Sequence, residues 1–312
     1  MTWLQLRLHV RRDDITALEE LLLASGAVAV TLEDNADQPL LEPGVGETPL
    51  WQQTRITGLY PADTDMHGVL RTLPNRLLTR AAQRVEILED KDWEREWMQH
   101  YQPMQFGQRL WVCPSWLEPP EPSAVNLLLD PGLAFGTGTH PTTALCLRQL
   151  DGMSWAGQTG SRQTGSRQTG SHQIVVDYGC GSGILAMAAL KLGAARALAV
   201  DNDPQALAAS RDNAARNNIA PEKIAAVFPQ EVDLREWGQA ADVVIANILA
   251  APLIDLSDTL LHFLKPGGTL LLSGLLHNQA EAVCAHYAAR LPLHVVGEHD
   301  GWVCLRGNLA AR

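Results

Sequence analysis

Residues 174–184 carry the types and spacing needed to bind a ligand through bare backbone. An apolar, β-branched run is followed by Gly179, Gly181 and Gly183 and then by an apolar helical segment. Glycines adopt positive φ angles and let a ligand lie against the main chain without meeting a Cβ atom. A second apolar run delivers Asp201 about 20 residues after the first glycine, where a carboxylate can accept both hydroxyl protons of a ribose. The pattern predicts a site for an adenosine-type ligand.

Asp177 decides which adenosine ligand suits this turn. The dinucleotide fingerprint G-x-G-x-x-G places a pyrophosphate on a helix N-terminus, whereas this chain has G-x-G-x-G with a carboxylate two residues before the first glycine. That carboxylate would repel a diphosphate and suits a cation, such as the amino group and sulfonium of S-adenosylmethionine. Glycine-rich turns also occur in α/β folds without a ligand. The combination with Asp201 favours S-adenosylmethionine as the cofactor.

A glycine- and threonine-rich loop, residues 130–143, is a second candidate for contact with the cofactor. It leads into a predicted helix over residues 144–150, with Pro141 in a first-turn position. We expect a lid in which Thr143 donates from its hydroxyl group, with an elaborate helix cap as the alternative. His140 could act as a general base, but histidine at a helix start is as often a capping residue, so its role stays open.

Asn247 follows the fourth parallel strand of the predicted sheet and places a side-chain amide at the same edge. This amide and the freed backbone carbonyls beside it could accept the hydrogens of an amine substrate and orient it so that the nitrogen lone pair faces the methyl group. Amino methyltransferases that act on adenine or glutamine carry N-P-P-Y or D-P-P-Y at this position, whereas this chain has N-I-L-A. The acceptor site is therefore shaped for a different amine.

The elements that must position these residues alternate regularly from residue 174 onward. The predicted strands are 174–178, 196–201, 224–228, 242–247, 269–273, 292–298 and 302–306, and the predicted helices are 184–192, 204–217, 252–264 and 278–290. Alternation of this kind predicts an α/β fold with a Rossmann-like, seven-stranded, mostly parallel sheet and a ligand at the carboxyl ends of its strands. The last two strands have no helix between them and should form an antiparallel hairpin.

The pattern of residues 1–90 predicts a separate α+β domain. Strands over 3–10, 27–32, 53–60 and 85–88 and helices over 14–25 and 65–78 give the order βαββαβ, which is ferredoxin-like. The region has eight arginines and no lysine against fourteen acidic residues, by count along the sequence. Its acidic surface is either plainly solvated or a docking face for a basic protein.

Between and within the two domains we expect a linker and an insertion. Residues 91–123 connect them through a helix over 90–100, which carries Trp93 and Trp97, and a strand near 109–114; residues 124–312 form the α/β domain. Residues 158–172 repeat Q-T-G-S-R twice and then Q-T-G-S-H, so we expect a disordered insertion, to which no function is assigned. The loop over 33–49 should be exposed and mobile.

Composition narrows the classes of function. The 312 residues, 46% of them hydrophobic, can fill two cores, and no apolar run is long enough to span a bilayer. With no secretion-signal layout at the N-terminus, the expected location is the cytoplasm. A net charge of −11 predicts a basic partner and no direct binding to nucleic acid. The five cysteines form no C-x-x-C pair, and Cys180 is read as a packing residue rather than a nucleophile.

Three motifs together resemble the bacterial ribosomal protein L11 methyltransferase family, whose members are class I enzymes dependent on S-adenosylmethionine. They are D-P-G-L-A-F-G-T-G-T-H-P-T-T at 130–143, D-Y-G-C-G-S-G-I-L-A at 177–186 and N-I-L-A at 247–250. The first motif is highly specific, whereas most class I methyltransferases share the glycine turn. The likeness covers nearly the whole chain, and the repeat at 158–172 departs from the family pattern.

The resemblance implies a site and a substrate. Thr143, Gly179, Asp201 and Asn247 would contact the cofactor, and the turn adds Asp177 and Gly181. Asn247 would also position the substrate amine, with no residue assigned as an acid or a base. The front domain would recruit ribosomal protein L11, whose α-amino and lysine ε-amino groups would be methylated up to three times by a monomeric enzyme.

The residues alone leave rival functions open. An S-adenosylmethionine-dependent methyltransferase could instead act on RNA or on a small-molecule amine. An NAD-dependent oxidoreductase would need the missing spacer residue of the fingerprint and would have to tolerate Asp177. A non-catalytic module would bind the adenosine ligand without methyl transfer.

Overall fold

The computed structural model describes residues 2–34, 53–74, 83–88, 101–130, 138–155 and 173–311. The chain divides into two compact units, residues 1–100 and 101–312. Three predicted features lie outside the described residues, wholly or for the most part: the loop over 33–49, the linker helix over 90–100 and the repeat over 158–172. Half of the predicted lid, residues 131–137, lies outside them as well.

In its described residues, the first unit contains a four-stranded antiparallel sheet and two helices. Its strands, in the spatial order β2-β3-β1-β4, are β1 Trp3–Arg11, β2 Ala29–Asp34, β3 Gln53–Pro61 and β4 Gln83–Leu88. Helix α1 spans Ile15–Ala24 and α2 spans Met66–Thr72. Alternate residues of β1, such as Leu6 and Leu8, pack with α1 in the core. The element order is the predicted ferredoxin-like one.

Helix α2 is shorter than the predicted helix over 65–78. It ends at Thr72, and Leu73 is extended with φ −80° and ψ 138°. The physical reason is Pro74, since the residue before a proline is driven out of the helical region.

The second unit contains a seven-stranded sheet in the order β10-β9-β8-β11-β12-β14-β13. Its strands are β8 Ile174–Tyr178, β9 Arg196–Val200, β10 Ile224–Val227, β11 Ala241–Asn247, β12 Leu264–Leu276, β13 His294–His299 and β14 Trp302–Asn308. The pairs from β10 to β12 are parallel, and β14 is antiparallel to both of its neighbours. The predicted α/β class and the final hairpin are confirmed.

Helices and a small sheet complete this unit. The helices are α3 Pro141–Gly152, α4 Ile184–Leu192, α5 Pro204–Arg216, α6 Leu234–Trp237, α7 Ala250–Asp255, α8 Ser257–Phe263 and α9 His277–Tyr287. The small sheet is β5 Met104–Phe106, β6 Leu110–Cys113 and β7 Val125–Leu128. Buried Asp151, at the end of α3, accepts the Gln108 and Arg109 backbone N–H groups at 2.7 and 3.2 Å. This contact fixes α3, whose other end reaches the site.

Two predicted elements differ from the structure. The helix expected over 252–264 is two helices, because the chain breaks at Leu256, where φ is −90° and ψ is 7°. The first of them begins earlier, at Ala250, since Pro252 is tolerated in a first turn. The strand expected over 269–273 is longer, because pairing with β11 continues to Ser273 and pairing with β14 continues to Leu276.

Apolar residues fill both sides of the large sheet. One cluster includes Val175, Ala186 and Leu145, and the other includes Val176, Leu253 and Phe263. Adjacent residues of β8 point to opposite sides, as a strand covered on both faces requires. Over the described part of the chain, no helix combines the length and apolar character needed to cross a bilayer.

Candidate functional site

A cavity of about 670 Å³ lies at the carboxyl ends of the parallel strands. Gly179 and Asp201 line it after β8 and β9, Asn247 lines it at the end of β11, and Trp302 lines it at the start of β14. The volume falls in the range of about 300–1,000 Å³ that small-molecule sites occupy. This is the edge at which the sequence predicts a ligand.

The glycine turn supplies bare backbone to the cavity. Gly179, Gly181 and Gly183 have φ values of 78°, 51° and 77°, in the left-handed region that favours glycine. A Cβ atom at position 179 would collide with the side chain of Ile248, which lines the same cavity. Only glycine at position 179 therefore fits beside Ile248 without a steric collision.

Asp201 is held at the end of β9 by two backbone donors. Its Oδ2 accepts the Gly181 N–H at 2.9 Å, and its Oδ1 accepts the Asp203 N–H at 3.0 Å. The side chain is half-buried and lines the cavity. A carboxylate has about four acceptor positions, so two of them remain for a ligand.

Asp177 lies beneath the turn rather than on the cavity wall. It is fully buried, and its Oδ2 accepts the Ala186 N–H of α4 at 3.0 Å. Its Oδ1 has no hydrogen-bond partner within the described residues. Burial raises the pKa of this carboxyl to about 7, against the lowering effect of the Ala186 hydrogen bond.

Asn247 joins α3 to the sheet edge. Its Nδ2 donates to Thr143 Oγ1 at 3.3 Å, and Thr143 is itself fully buried behind the cavity wall. The Oδ1 atom of Asn247 is buried and, in the described part of the chain, accepts no hydrogen bond. A buried acceptor of this kind costs free energy unless something donates to it. It therefore marks a position where a ligand N–H or O–H fits.

His140 and Trp302 form an aromatic corner of the cavity. The His140 ring lies 5.1 Å from the Trp302 ring, with an interplanar angle of 68°. His140 caps α3, with its Nδ1 3.4 Å from the Thr142 N–H and 2.7 Å from Thr142 Oγ1. Burial lowers the pKa of His140, which keeps the ring neutral at pH 7.

Sequence patterns missed part of this cavity. Trp302 and Leu256 line it but belong to no motif, because a hairpin and a helix break carry them to the site. The position of Trp302, directly after the hairpin turn at Asp300 and Gly301, is the signal that could have been used. Gly179, Asp201 and Asn247 line the cavity, whereas Thr143, Asp177 and Gly181 are not among the described residues that line it.

Cys180 sits inside the glycine turn but is placed for packing. Its sulfur lies 3.5 Å from the Ser210 hydroxyl, and burial raises the pKa of the thiol well above its ordinary value. A thiol held protonated is a poor nucleophile. All five cysteines of the chain are free thiols.

The residues at this edge fit S-adenosylmethionine. The turn offers backbone that a Cβ atom would obstruct, Asp201 keeps two acceptor positions for ribose hydroxyls, and the buried Asn247 oxygen lacks a donor within the described residues. These features also distinguish the edge from a diphosphate site, which would need donors rather than acceptors.

Comparison with known proteins decides the family. The family model described as ribosomal protein L11 methyltransferase matches residues 2–310. The chain belongs to the ribosomal protein L11 methyltransferase family. This membership confirms the predicted family, the fold class and the predicted activity, methyl transfer with S-adenosylmethionine as the cofactor.

Members of the ribosomal protein L11 methyltransferase family match the chain over its length. The protein of that name from Pseudomonas aeruginosa strain LESB58 is 50% identical over 314 residues and covers 100% of both chains. The one from Azotobacter vinelandii strain DJ is 52% identical over 310 residues, covering 98% of this chain and 99% of its own. The crystal structure of a ribosomal protein L11 methylase from Lactobacillus delbrueckii subsp. bulgaricus is 30% identical, with a TM-score of 0.54, and covers 67% of this chain and 100% of its own.

Proposed function

We propose that the chain transfers methyl groups from S-adenosylmethionine to the α-amino and lysine ε-amino groups of ribosomal protein L11. Its full-length relatives at about 50% identity carry the name of that activity. The observation that carries the proposal is the buried Oδ1 of Asn247, an acceptor without a donor in the described residues, at a cavity beside a glycine turn. An amine N–H is a donor that would satisfy this acceptor.

The chain's own residues would hold the cofactor in named ways. Gly179 and Gly181 present backbone, Asp201 accepts the ribose hydroxyls, and Thr143 fixes the Asn247 amide. Asp177 places a carboxyl beneath the turn, where it favours a cationic ligand. When bound, S-adenosylmethionine supplies an electrophilic methyl group on a sulfonium, with a good leaving group behind it.

The acceptor side of the cavity would orient the amine and keep it neutral. The Oδ1 of Asn247 accepts one amine hydrogen, which turns the nitrogen lone pair toward the methyl group. Ile248, Leu256 and Trp302 line the cavity and exclude water, and a low dielectric disfavours an ammonium ion. A lysine ammonium releases its proton to water before reaction, so positioning and desolvation account for most of the rate.

We extend the proposal to the rest of the molecule. Residues 1–90 would recruit the ribosomal protein, residues 91–123 would link this part to the catalytic residues 124–312, and the enzyme would act as a cytoplasmic monomer. The net charge of −11 supports a basic protein substrate.

The test is methyl transfer from labelled cofactor to purified L11, with ribosomal RNA and free lysine as parallel acceptors. We expect label in the protein, and mass spectrometry should place it on amino groups. The Asn247→Ala variant should lower kcat by about 10–100-fold, because the amine is no longer oriented toward the methyl group. The affinity for the cofactor should change less. Asn202→Ala, at an exposed position on the same cavity, is the control and should keep kcat. Label in RNA or lysine but not in L11 would contradict the proposal.

A further inference from the structure

The sheet of the first unit has one face that the described helices, α1 and α2, do not cover. Leu6, Leu8 and Val10 of β1 pack with α1 on the covered face. Because side chains alternate along a strand, the intervening residues of β1 and their cross-strand partners lie on the other face. That face carries a set of basic side chains, named here the basic face: Arg7, His9, Arg11, Arg55 and Arg84.

Charge in the described residues of this unit is divided unevenly: the helices and the turns before them carry six acidic residues against Arg12 and Arg71. The acidic residues of the helices and of the turns before them are Asp13, Asp14, Glu19, Glu20, Asp63 and Asp65. On the same side as the basic face, the described strands carry only Glu33 and Glu86. An overall acidic protein therefore presents a sheet surface with four guanidinium groups and two carboxylates. The net charge of the chain does not reveal this surface.

Ion pairs account for only part of this arrangement. Glu33 lies directly opposite Arg55, 3.5 Å from its guanidinium group. Arg7, in contrast, lies directly opposite Arg84. Like charges in directly opposed positions destabilise a sheet. Glu86 offsets part of this repulsion, with ion pairs of 3.0 Å to Arg7 and 3.9 Å to Arg84. One carboxylate between two guanidinium groups leaves an excess of positive charge.

The spacing and chemistry of the basic face suit a chain of phosphates. Arg7, His9 and Arg11 follow one another at every second residue of β1, which sets them about 7 Å apart. Arg84 projects into solvent, with 80% of its side chain exposed. Guanidinium groups bind phosphate oxygens in pairs, and several in a row match a polyanion better than a single anion.

An aromatic side chain on the same face favours nucleic acid over an acidic peptide. Trp3, half-buried, lies on this face at the start of β1, opposite Pro61 and Leu88. Sheet surfaces that bind RNA combine cationic contacts to the backbone with aromatic rings on which bases stack. We propose that the basic face binds single-stranded RNA through its phosphates, with Trp3 as a stacking surface.

The test measures the fluorescence anisotropy of a labelled oligouridylate of about 20 nucleotides. It is titrated with the full chain at salt concentrations of about 50–200 mM. We expect binding that weakens as salt rises. The Arg11→Gln, Arg84→Gln double variant should lower affinity at least about fivefold and reduce the slope of log affinity against log salt by about two. The matched control is Arg12→Gln, Arg71→Gln, which removes the same charge from exposed positions off this face.

Three outcomes would overturn the proposal. One is an absence of oligouridylate binding at the lowest salt, and another is an equal loss of affinity in the control. The third is equally tight, equally variant-sensitive binding of a labelled polyglutamate of the same length, which would assign the face to an acidic protein segment. Circular dichroism of both double variants should match the parent chain, so that a lost affinity reports the face and not the fold.

Discussion

At the scale of single residues, hydrogen bonds from the backbone hold the Asp201 side chain in position. Both oxygens accept main-chain N–H groups, from Gly181 and Asp203, so the carboxylate is aimed without a cation beside it in the described structure. A carboxylate fixed in this way keeps its remaining lone pairs pointed at the cavity. It is pre-organised for the two hydroxyl groups of a ribose.

The Asp201→Ala variant tests this role. We expect the affinity for S-adenosylmethionine to fall by about 1–3 kcal/mol, because two hydrogen bonds to an ionised group are lost. Isothermal titration calorimetry measures it directly. Asp212→Ala, at an exposed position of α5, is the control and should bind as the parent chain does. An affinity unchanged in Asp201→Ala would refute the assignment.

The site residues that could be predicted from the sequence are those whose side-chain type itself indicates their chemistry. Gly179, Asp201 and Asn247 line the cavity as the strand ends predict, because a parallel sheet brings its carboxyl ends to one edge. The aromatic corner of His140 and Trp302 was not foreseen, since the contact joins residues 162 positions apart by number. A role for Asp177 in cofactor binding stays a prediction.

At the scale of elements, the glycine turn between β8 and α4 is the part least able to accept a side chain. Gly179→Ala should lower the free energy of unfolding by about 1–3 kcal/mol and weaken cofactor binding, because a Cβ atom strains φ and meets Ile248. Gly267→Ala is the matched control: its φ is 80°, but a Cβ atom there has open space. Urea unfolding and calorimetry should show a larger loss for position 179. Equal losses at the two positions would show that backbone strain alone is at work.

The carboxyl of Asp177 under the same turn predicts a dependence of stability on pH. Its folded-state pKa of about 7 lies above the ordinary value of 3.8, so the folded protein holds this proton more tightly than the unfolded chain. The stabilising contribution is complete below the ordinary value and is lost as pH rises through the folded value. Asp177→Asn removes this loss.

The variant should therefore gain stability relative to the parent chain between about pH 4 and pH 7, by about 1–4 kcal/mol. Urea unfolding of both proteins at several pH values measures this difference. Equal m-values serve as the control that the same surface is exposed in each. A stability difference that stays constant across this range would contradict the buried, raised pKa.

Element boundaries were predictable where local signals were strong. The α4 bounds and the β8 bounds agree with the prediction because glycines and β-branched runs define them. The break at Leu256 was not predictable, because α7 and α8 each pack separately on the sheet and no proline or glycine marks the junction. Tertiary packing overrode the continuous apolar pattern there.

At the scale of the whole molecule, charge differs from one surface to another, so the net charge does not describe any single surface. The net charge of −11 describes the chain, yet in the first unit the described sheet face is basic, whereas α1 and the turns before both helices are acidic. Exposed charges further apart than about 10 Å are largely screened at moderate salt, so each surface acts on its own partner. Composition alone could not predict this, because it contains no information on which residues share a face.

The ligand at the sheet edge decides which reaction the chain can carry out. The most direct measurement is calorimetric titration of the full chain with S-adenosylmethionine and, in parallel, with NAD. We predict saturable heat with S-adenosylmethionine and none with NAD, because the Asp201 carboxylate and the Asn247 oxygen are acceptors, which suit the hydroxyl and amino groups of S-adenosylmethionine and disfavour a diphosphate. Heat with NAD and none with S-adenosylmethionine would contradict the account.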